Sequence, residues 1–244
     1  MFSIPAMVAL LIAPASAAPV GDPVPLPSMG RVRVDVRGST GTIQETDGRC
    51  EESSGCGADW QHTALTGGLH LALFKGVGVY GEFGLGQERI QAADYRGQGR
   101  IWAAGVRAAV PLGKHFWLAA NARADRGEAE SLVSSDDPEV SSYEIYTGSL
   151  VGVIGDAEDG VSIWAGAQSS WYWSHSVWPL GTKRDELFLK VPLSPDRPVS
   201  GVMGVGLTSE PLGLPWRRTG RLTIGLEGLV GQEYGASASL GIAL

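Results

Sequence analysis

The chain has 244 residues, with 26 acidic and 19 basic side chains, 35 glycines, 14 prolines and 8 tryptophans. Apolar residues at 43% exclude global disorder, and the glycines, about twice their ordinary share, follow no three-residue period, which excludes collagen. A formal net charge of −7 excludes the basic face of a nucleic-acid binder, so no nucleic-acid partner is expected.

Phe2 to Ile12 form a short apolar stretch, and Ala15-Ser16-Ala17 places small residues where a signal peptidase cuts. Residues 1–17 are therefore expected to be a cleaved signal peptide, although no Lys or Arg precedes the apolar run. Residues 18–29, with Pro19, Pro23, Pro25 and Pro27, read as a stiff periplasmic lead-in that joins neither helix nor central strand. Past the leader no run of 18 apolar residues occurs, so no helical membrane span is expected.

From Arg31 the side chains alternate with a period of two, the signature of strands with unlike faces. Val32, Val34 and Val36 oppose Arg31, Arg33, Asp35 and Arg37. Leu65, Leu69, Leu71 and Leu73 oppose Thr66, Gly68 and His70, and Val77, Val79, Phe83 and Leu85 oppose Tyr80 and Glu82. Trp102, Val106 and Val110 oppose Arg107, and Phe116, Leu118 and Ala120 oppose Trp117, Asn121, Arg123 and Asp125. Val161, Ile163 and Trp171 oppose Ser162, Gln168 and Ser170; Leu222, Ile224 and Leu226 oppose Thr223 and Glu227; Leu240 and Ile242 oppose Ser239 and Gly241. In 142–155, Tyr143, Ile145 and Val151 compete with Tyr146, Leu150 and Ile154 for the apolar face. Ala119 to Ala129 has a helical composition, but its polar residues alternate and Gly127 stops it. The chain reads as all-β.

Strands are expected near 31–44, 61–74, 77–88, 100–111, 115–127, 142–155, 160–174, 199–209, 220–231 and 235–244. Short turns alternate with long polar segments at 45–60, 89–99, 128–141 and 174–198, the loop asymmetry of an outer-membrane barrel. Residues 30–244 are thus expected to form a single closed antiparallel up-and-down transmembrane β-barrel with a lipid-facing apolar exterior. Ten strands are expected, with eight or twelve as alternatives. The connection 210–219 is long for a periplasmic turn, and Leu187 to Val191 reads either as an extra strand or as loop.

Small residues suit a narrow lumen. The expected lumen charges are Arg31, Arg33, Arg37, Arg107 and Arg123 against Asp35, Glu82, Asp125, Glu144 and Glu227, five of each sign, which permits pairing. Trp60, Trp102, Phe116, Trp171, Trp173, Trp178 and Trp216 fall near expected strand ends, where aromatic girdles meet the two membrane interfaces. Cys50 and Cys56 lie in the first long loop of an exported chain, and a disulfide between them is expected.

With these features the chain resembles the small outer-membrane β-barrel proteins of Gram-negative bacteria, the OmpA-like and OmpX-like group. The resemblance covers residues 30–244 as pattern: export signal, alternating strands, alternating loop lengths and a strand to the last residue. Group members usually end in an aromatic residue, whereas this chain ends Leu240-Gly241-Ile242-Ala243-Leu244. The resemblance implies an outer-membrane location, contact with outer-membrane lipid and lipopolysaccharide, and folding by the barrel-assembly machinery.

The expected role is non-enzymatic, structural or surface-interacting, with no cofactor and no metal. Three alternatives stand beside it: a narrow pore for small solutes, an outer-membrane lipid hydrolase, and a soluble periplasmic β-barrel that binds a ligand. Ser174-His175-Ser176 sits at an expected membrane rim, but neighbours on a strand point to opposite faces, so Ser176 and His175 do not form a nucleophile–base pair directly. The soluble alternative requires an apolar lumen and a polar exterior.

Overall fold

The computed structural model describes residues 31–43, 60–90, 95–131, 139–155, 160–179, 189–190, 199–213, 219–231 and 233–244. The expected signal peptide, the lead-in, Cys50, Cys56 and Trp216 lie outside the described residues.

Among the described residues twelve strands follow one another: β1 (Val32–Ile43), β2 (Trp60–Phe74), β3 (Val77–Ile90), β4 (Tyr95–Pro111), β5 (Phe116–Ser131), β6 (Glu139–Gly155), β7 (Gly160–Pro179), β8 (Leu189–Lys190), β9 (Val199–Thr208), β10 (Leu212–Gly213), β11 (Thr219–Gly231) and β12 (Glu233–Ala243). Ten of them form a ring in which each pairs antiparallel with its neighbours: β1 to β7 in order, then β9, β11 and β12, which returns to β1. Closure runs from Arg33 opposite Ala243 to Ile43 opposite Glu233. Val32 and Leu244 finish it by exchanging backbone hydrogen bonds of 3.3 and 2.7 Å. A closed ring leaves no sheet edge, so each wall strand finds its backbone partners in the sheet.

The two-residue strands stand apart from the ring. β8 pairs with Ser176 and Val177 of β7, so Leu189 and Lys190 contribute a brief ladder. β10 pairs antiparallel with Thr219 and Gly220 at the start of β11.

Two expected loops are partly strand. β3 and β4 run on to Ile90 and from Tyr95, and β5 and β6 run on to Ser131 and from Glu139. Their upper rungs pair polar with polar, as Gln87 with Gln98 and Arg100 with Glu128. Hydropathy alternation vanishes where both faces are polar, although the ladder continues. β7 reaches 20 residues and β4 and β6 reach 17, against about 10 for a membrane crossing. β9 has 10 and β12 has 11, so the rim is tall along β3–β7 and low along β9–β12.

At the other rim, β2 and β3 are joined by Lys75 and Gly76 alone. Gly76 has φ 82°, and a Cβ there would meet the carbonyl oxygen of Ala109, which already accepts no slack because Ala109 N donates to Gly76 O at 2.7 Å. Gly76→Val is expected to destabilise the barrel by about 1–2 kcal/mol, read as a lower urea midpoint for the detergent-folded protein.

Candidate functional site: a filled lumen

Alternation around a closed ring sends one half of the side chains inward, where they meet across the barrel. One part of the filling is apolar: Ala109, Ala119, Val151, Val153, Trp164, Val202 and Leu229 form one cluster, with Trp117 packed on it. β6 thereby resolves its ambiguity, with Tyr143, Ile145 and Val151 inside and Tyr146, Leu150 and Ile154 exposed.

The middle is charged. Glu82 receives Arg37 at 2.8 Å on one oxygen and Arg123 at 2.9 Å on the other. Arg123 also grips Asp125, its Nη2 at 2.7 Å and its Nε donating at 2.8–2.9 Å. Arg33 and His70 approach Asp35 at 3.4 and 2.8 Å. Tyr80 ties the two groups together: its hydroxyl donates to Asn121 Oδ1 at 3.0 Å, His70 stacks on its ring, and the Arg107 guanidinium lies 4.4 Å from the ring centre.

Toward the long-loop rim the filling becomes aromatic. Trp60 Nε1 donates to Glu88 at 3.2 Å, its ring stacks on His62, and Tyr143 meets both edge-on with its hydroxyl 3.1 Å from His62 Nε2. Elsewhere on the wall, Trp164 Nε1 donates to Glu227 at 3.2 Å. Glu233 accepts from Ser170 Oγ at 3.1 Å, while its backbone N–H donates to Ser200 Oγ.

Three of the large rings lie on glycines directly opposite in the ladder. Tyr80 covers Gly105, Tyr143 covers Gly127 and Trp164 covers Gly204. A Cβ at any of these glycines would collide with the ring. Part of the glycine excess is therefore the floor on which the lumen aromatics rest.

Of the expected lumen charges, Arg33, Asp35, Arg37, Glu82, Arg107, Arg123, Asp125 and Glu227 are buried inside. Arg31 stands half-buried at the start of β1. Glu144 is a correction: it pairs in the ladder with Arg126 and so shares the outward row of Phe83 and Trp102, its carboxylate 3.6 Å from Arg126 Nε. Tyr143, Ile145, Thr147, Ser149, Val151 and Val153 take the inward face of β6, so Glu144 falls with Tyr146, Leu150 and Ile154 on the outward one. Trp60 is the second correction. It has the parity of His62, Ala64 and Thr66 and is 1% exposed inside the lumen, where the Glu88 carboxylate satisfies its indole N–H.

Trp102, Phe116 and Trp171 face outward, with Arg126 5.7 Å from the Trp102 ring. The side chains of Trp173, His175 and Trp178 lie outside the described residues. Glu88, Glu233, Tyr143 and Trp164 were not singled out as site residues from sequence. Parity alone would have found Trp164, which falls between Ser162 and Gln168. Among the described residues no group of three or more His, Cys, Asp or Glu is placed to hold a metal ion.

A cavity of about 20 Å³ remains between Arg37, Thr66, Glu82, Arg123, Asp125 and Tyr143, room for about one water. The charged layer itself is 2% exposed at Arg37, 5% at Glu82, 6% at Arg123 and 7% at Asp125. A water-filled channel wets its lining, so the described lumen is closed at this level. Glu82→Gln takes the carboxylate from buried Arg37 and leaves Arg123 with Asp125 alone, and is expected to cost ~3 kcal/mol, measured as a lower melting temperature of the folded barrel.

No family model matches this chain, and no curated protein matches it. Among solved structures it is similar to the translocator domain of the autotransporter NalP from Neisseria meningitidis, at 11% identity and TM-score 0.49, covering 88% of each chain. It is also similar to an outer-membrane channel from Pseudomonas putida F1, at 13% identity and TM-score 0.41, covering 93% of this chain and 99% of that one. Both are likenesses of outline at low identity.

Proposed function

We propose that this chain is a non-enzymatic integral outer-membrane β-barrel whose side-chain-filled lumen is a rigid plug and whose tall rim carries the long loops beyond the membrane. The observation that carries this reading is the exterior. Thirty large apolar side chains among the described residues are 39–64% exposed, and they occur on every strand of the ring. They include Val36, Leu69, Phe83, Val106, Leu118, Leu150, Ile163, Met203, Leu226 and Leu240, one from each strand in turn. Water-soluble proteins seldom expose contiguous apolar patches beyond a few hundred Å². Here the apolar face surrounds the molecule while the charges are walled inside, the reverse of what a soluble ligand-binding barrel requires.

The height of the band supports the same reading. On β4 the outward apolar residues run from Trp102 to Val110. At ~3.4 Å per residue and a strand tilt of ~40° this is about 21 Å, near the ~25 Å belt of outer-membrane barrels. Phe74 and Phe116 flank it at the turn-side rim, and Phe83, Trp102, Tyr146 and Trp171 at the other. Burial of the charged layer favours a plug over the narrow-pore alternative.

Detergent-extracted protein is expected to migrate faster on a gel before boiling than after it; extraction without detergent, with no heat shift, would contradict the membrane reading. In planar bilayers the same preparation is expected to give no steady single-channel steps, and steady steps would replace the plug with a pore. Leu226→Arg, at the middle of the β11 band, is expected to destabilise the bilayer-folded barrel by about 2–4 kcal/mol. Urea unfolding from vesicles measures it.

A further inference from the structure

The apolar exterior is uneven around the ring. On other strands the middle of the band carries large side chains, among them Val36 of β1, Leu69 of β2, Met203 of β9 and Leu226 of β11. On β5 the corresponding outward positions are Ala120, Ala122 and Ala124, three in succession and all exposed. Several of their ladder neighbours are small as well: Ala108 and Ala104 on β4, and Gly148 on β6. The alanines thus floor a shallow trough along β5, with Val106 standing on its β4 side and Leu150 on its β6 side. Inside a bilayer, apolar burial gains nothing over lipid, and proteins associate where small residues let two backbones approach closely.

Directly above this trough the outward charges change sign between neighbouring strands. The rungs set Arg100 of β4 opposite Glu128 of β5, and Gln98 opposite Glu130, while Arg96 of β4 stands opposite Arg89 of β3. All five charged groups are exposed, the arginines on β3–β4 and the glutamates on β5. Arg89, Arg96, Arg100 and Glu130 have no ion pair among the described residues, and Glu128 reaches only Arg126, at 3.8 Å. Arg89 and Arg96 form a like-charge cross-strand pair, unfavourable unless a carboxylate comes between them. A two-fold axis parallel to the barrel axis, set at the β4–β5 boundary, keeps every residue at its own height and exchanges the two strands. It lays the arginines of each copy against the glutamates of the other, twice over, and Val106 of each against the alanines of the other. An anionic headgroup would match the arginines but meet the glutamates beside them. The pattern selects a surface that carries both signs in the reverse order, as a second copy does.

Resting on the membrane reading above, we infer that the outward face of β4–β5 is the surface through which two copies of this chain pair side by side in the bilayer. Within the band the β5 alanines of each copy receive Val106 of the other. Above the band Arg89, Arg96 and Arg100 of each copy meet Glu128 and Glu130 of the other.

Förster transfer between donor- and acceptor-labelled full chains in phosphatidylcholine vesicles tests this. Wild-type copies are expected to pair as the protein-to-lipid ratio rises, with transfer levelling off at the value for a dimer. Ala122→Trp, which fills the trough, is expected to weaken pairing at least about tenfold. Glu128→Arg with Glu130→Arg removes the negative side, and Arg89→Glu with Arg96→Glu and Arg100→Glu removes the positive side. Each of these two proteins alone is expected to pair at least about tenfold more weakly than wild type. Mixing the two is expected to restore pairing, now between unlike copies only, and high salt to weaken it. Ala238→Trp, in the band on β12, is expected to leave wild-type pairing unchanged. Wild-type copies that never pair, pairing unaltered by Ala122→Trp, or a charge-reversed mixture that stays apart would each overturn the interface. Heat-shifted gel migration is read on the same samples. A heat-shifting barrel that stays monomeric refutes the dimer alone, whereas a chain that never heat-shifts refutes the membrane reading beneath it.

Discussion

Glu82 sits between Arg37 and Arg123 and so joins β1, β3 and β5 through the middle of the barrel. Everything else inside depends on that bridge holding. Each guanidinium has given up water, and each keeps its charge because a carboxylate has replaced the solvent. Arg123 passes the connection to Asp125, and Tyr80 passes it to Asn121 and Arg107. A ring of ten strands is wide enough to admit water, yet these long side chains meet at its axis. The barrel therefore behaves in its interior like a small globular core, with charge pairs in place of some of the leucines.

The same ladder makes the outside possible. Because the side-chain period is two, each inward charge leaves its strand neighbours pointing outward, and over the height of the band those neighbours are valine, leucine, phenylalanine, alanine or glycine. Above the band the outward residues become polar while the ladder continues, so the wall rises past the apolar belt along β3–β7. The interior thus combines an apolar cluster, an ion-paired network and an aromatic group beside the long-loop rim.

The fold was largely legible, since period two survives wherever one face is apolar and the other is not. Arg107, Arg123 and Asp125 could be placed inside by counting from Val106 and Leu118. What sequence did not show follows from where that contrast fades. The upper ends of β3 to β6, residues 89–90, 95–99, 128–131 and 139–141, read as loop because Arg89, Gln98, Glu128 and Glu130 leave no apolar face to count. Trp60 was assigned by its place near a strand end, although its parity with His62 and Thr66 put it inside. Glu144 was misplaced because both faces of β6 carry apolar residues, Tyr143, Ile145 and Val151 on one and Tyr146, Leu150 and Ile154 on the other, so hydropathy did not say which turned inward. Pairing across the lumen, such as Trp164 with Glu227, depends on strands 63 residues apart and on ring diameter.

The rings resting on glycine carry a further consequence for how the barrel is put together. Tyr80 with Gly105 sits in the β3–β4 hairpin, Tyr143 with Gly127 in β5–β6, and Trp164 with Gly204 between β7 and β9. Sliding one strand by a single residue would reverse its faces, but sliding by two would preserve them and escape any test based on hydropathy. Such a slip drives two of the rings into a side chain whichever way it runs: Tyr80 would meet Ala103 or Arg107, and Tyr143 would meet Asp125 or Ala129, whereas Trp164 would meet Val202 one way and Gly206 the other. Two pairs of strands thus carry their own keyed alignment in both directions, and each can close in the correct frame before the cylinder is complete.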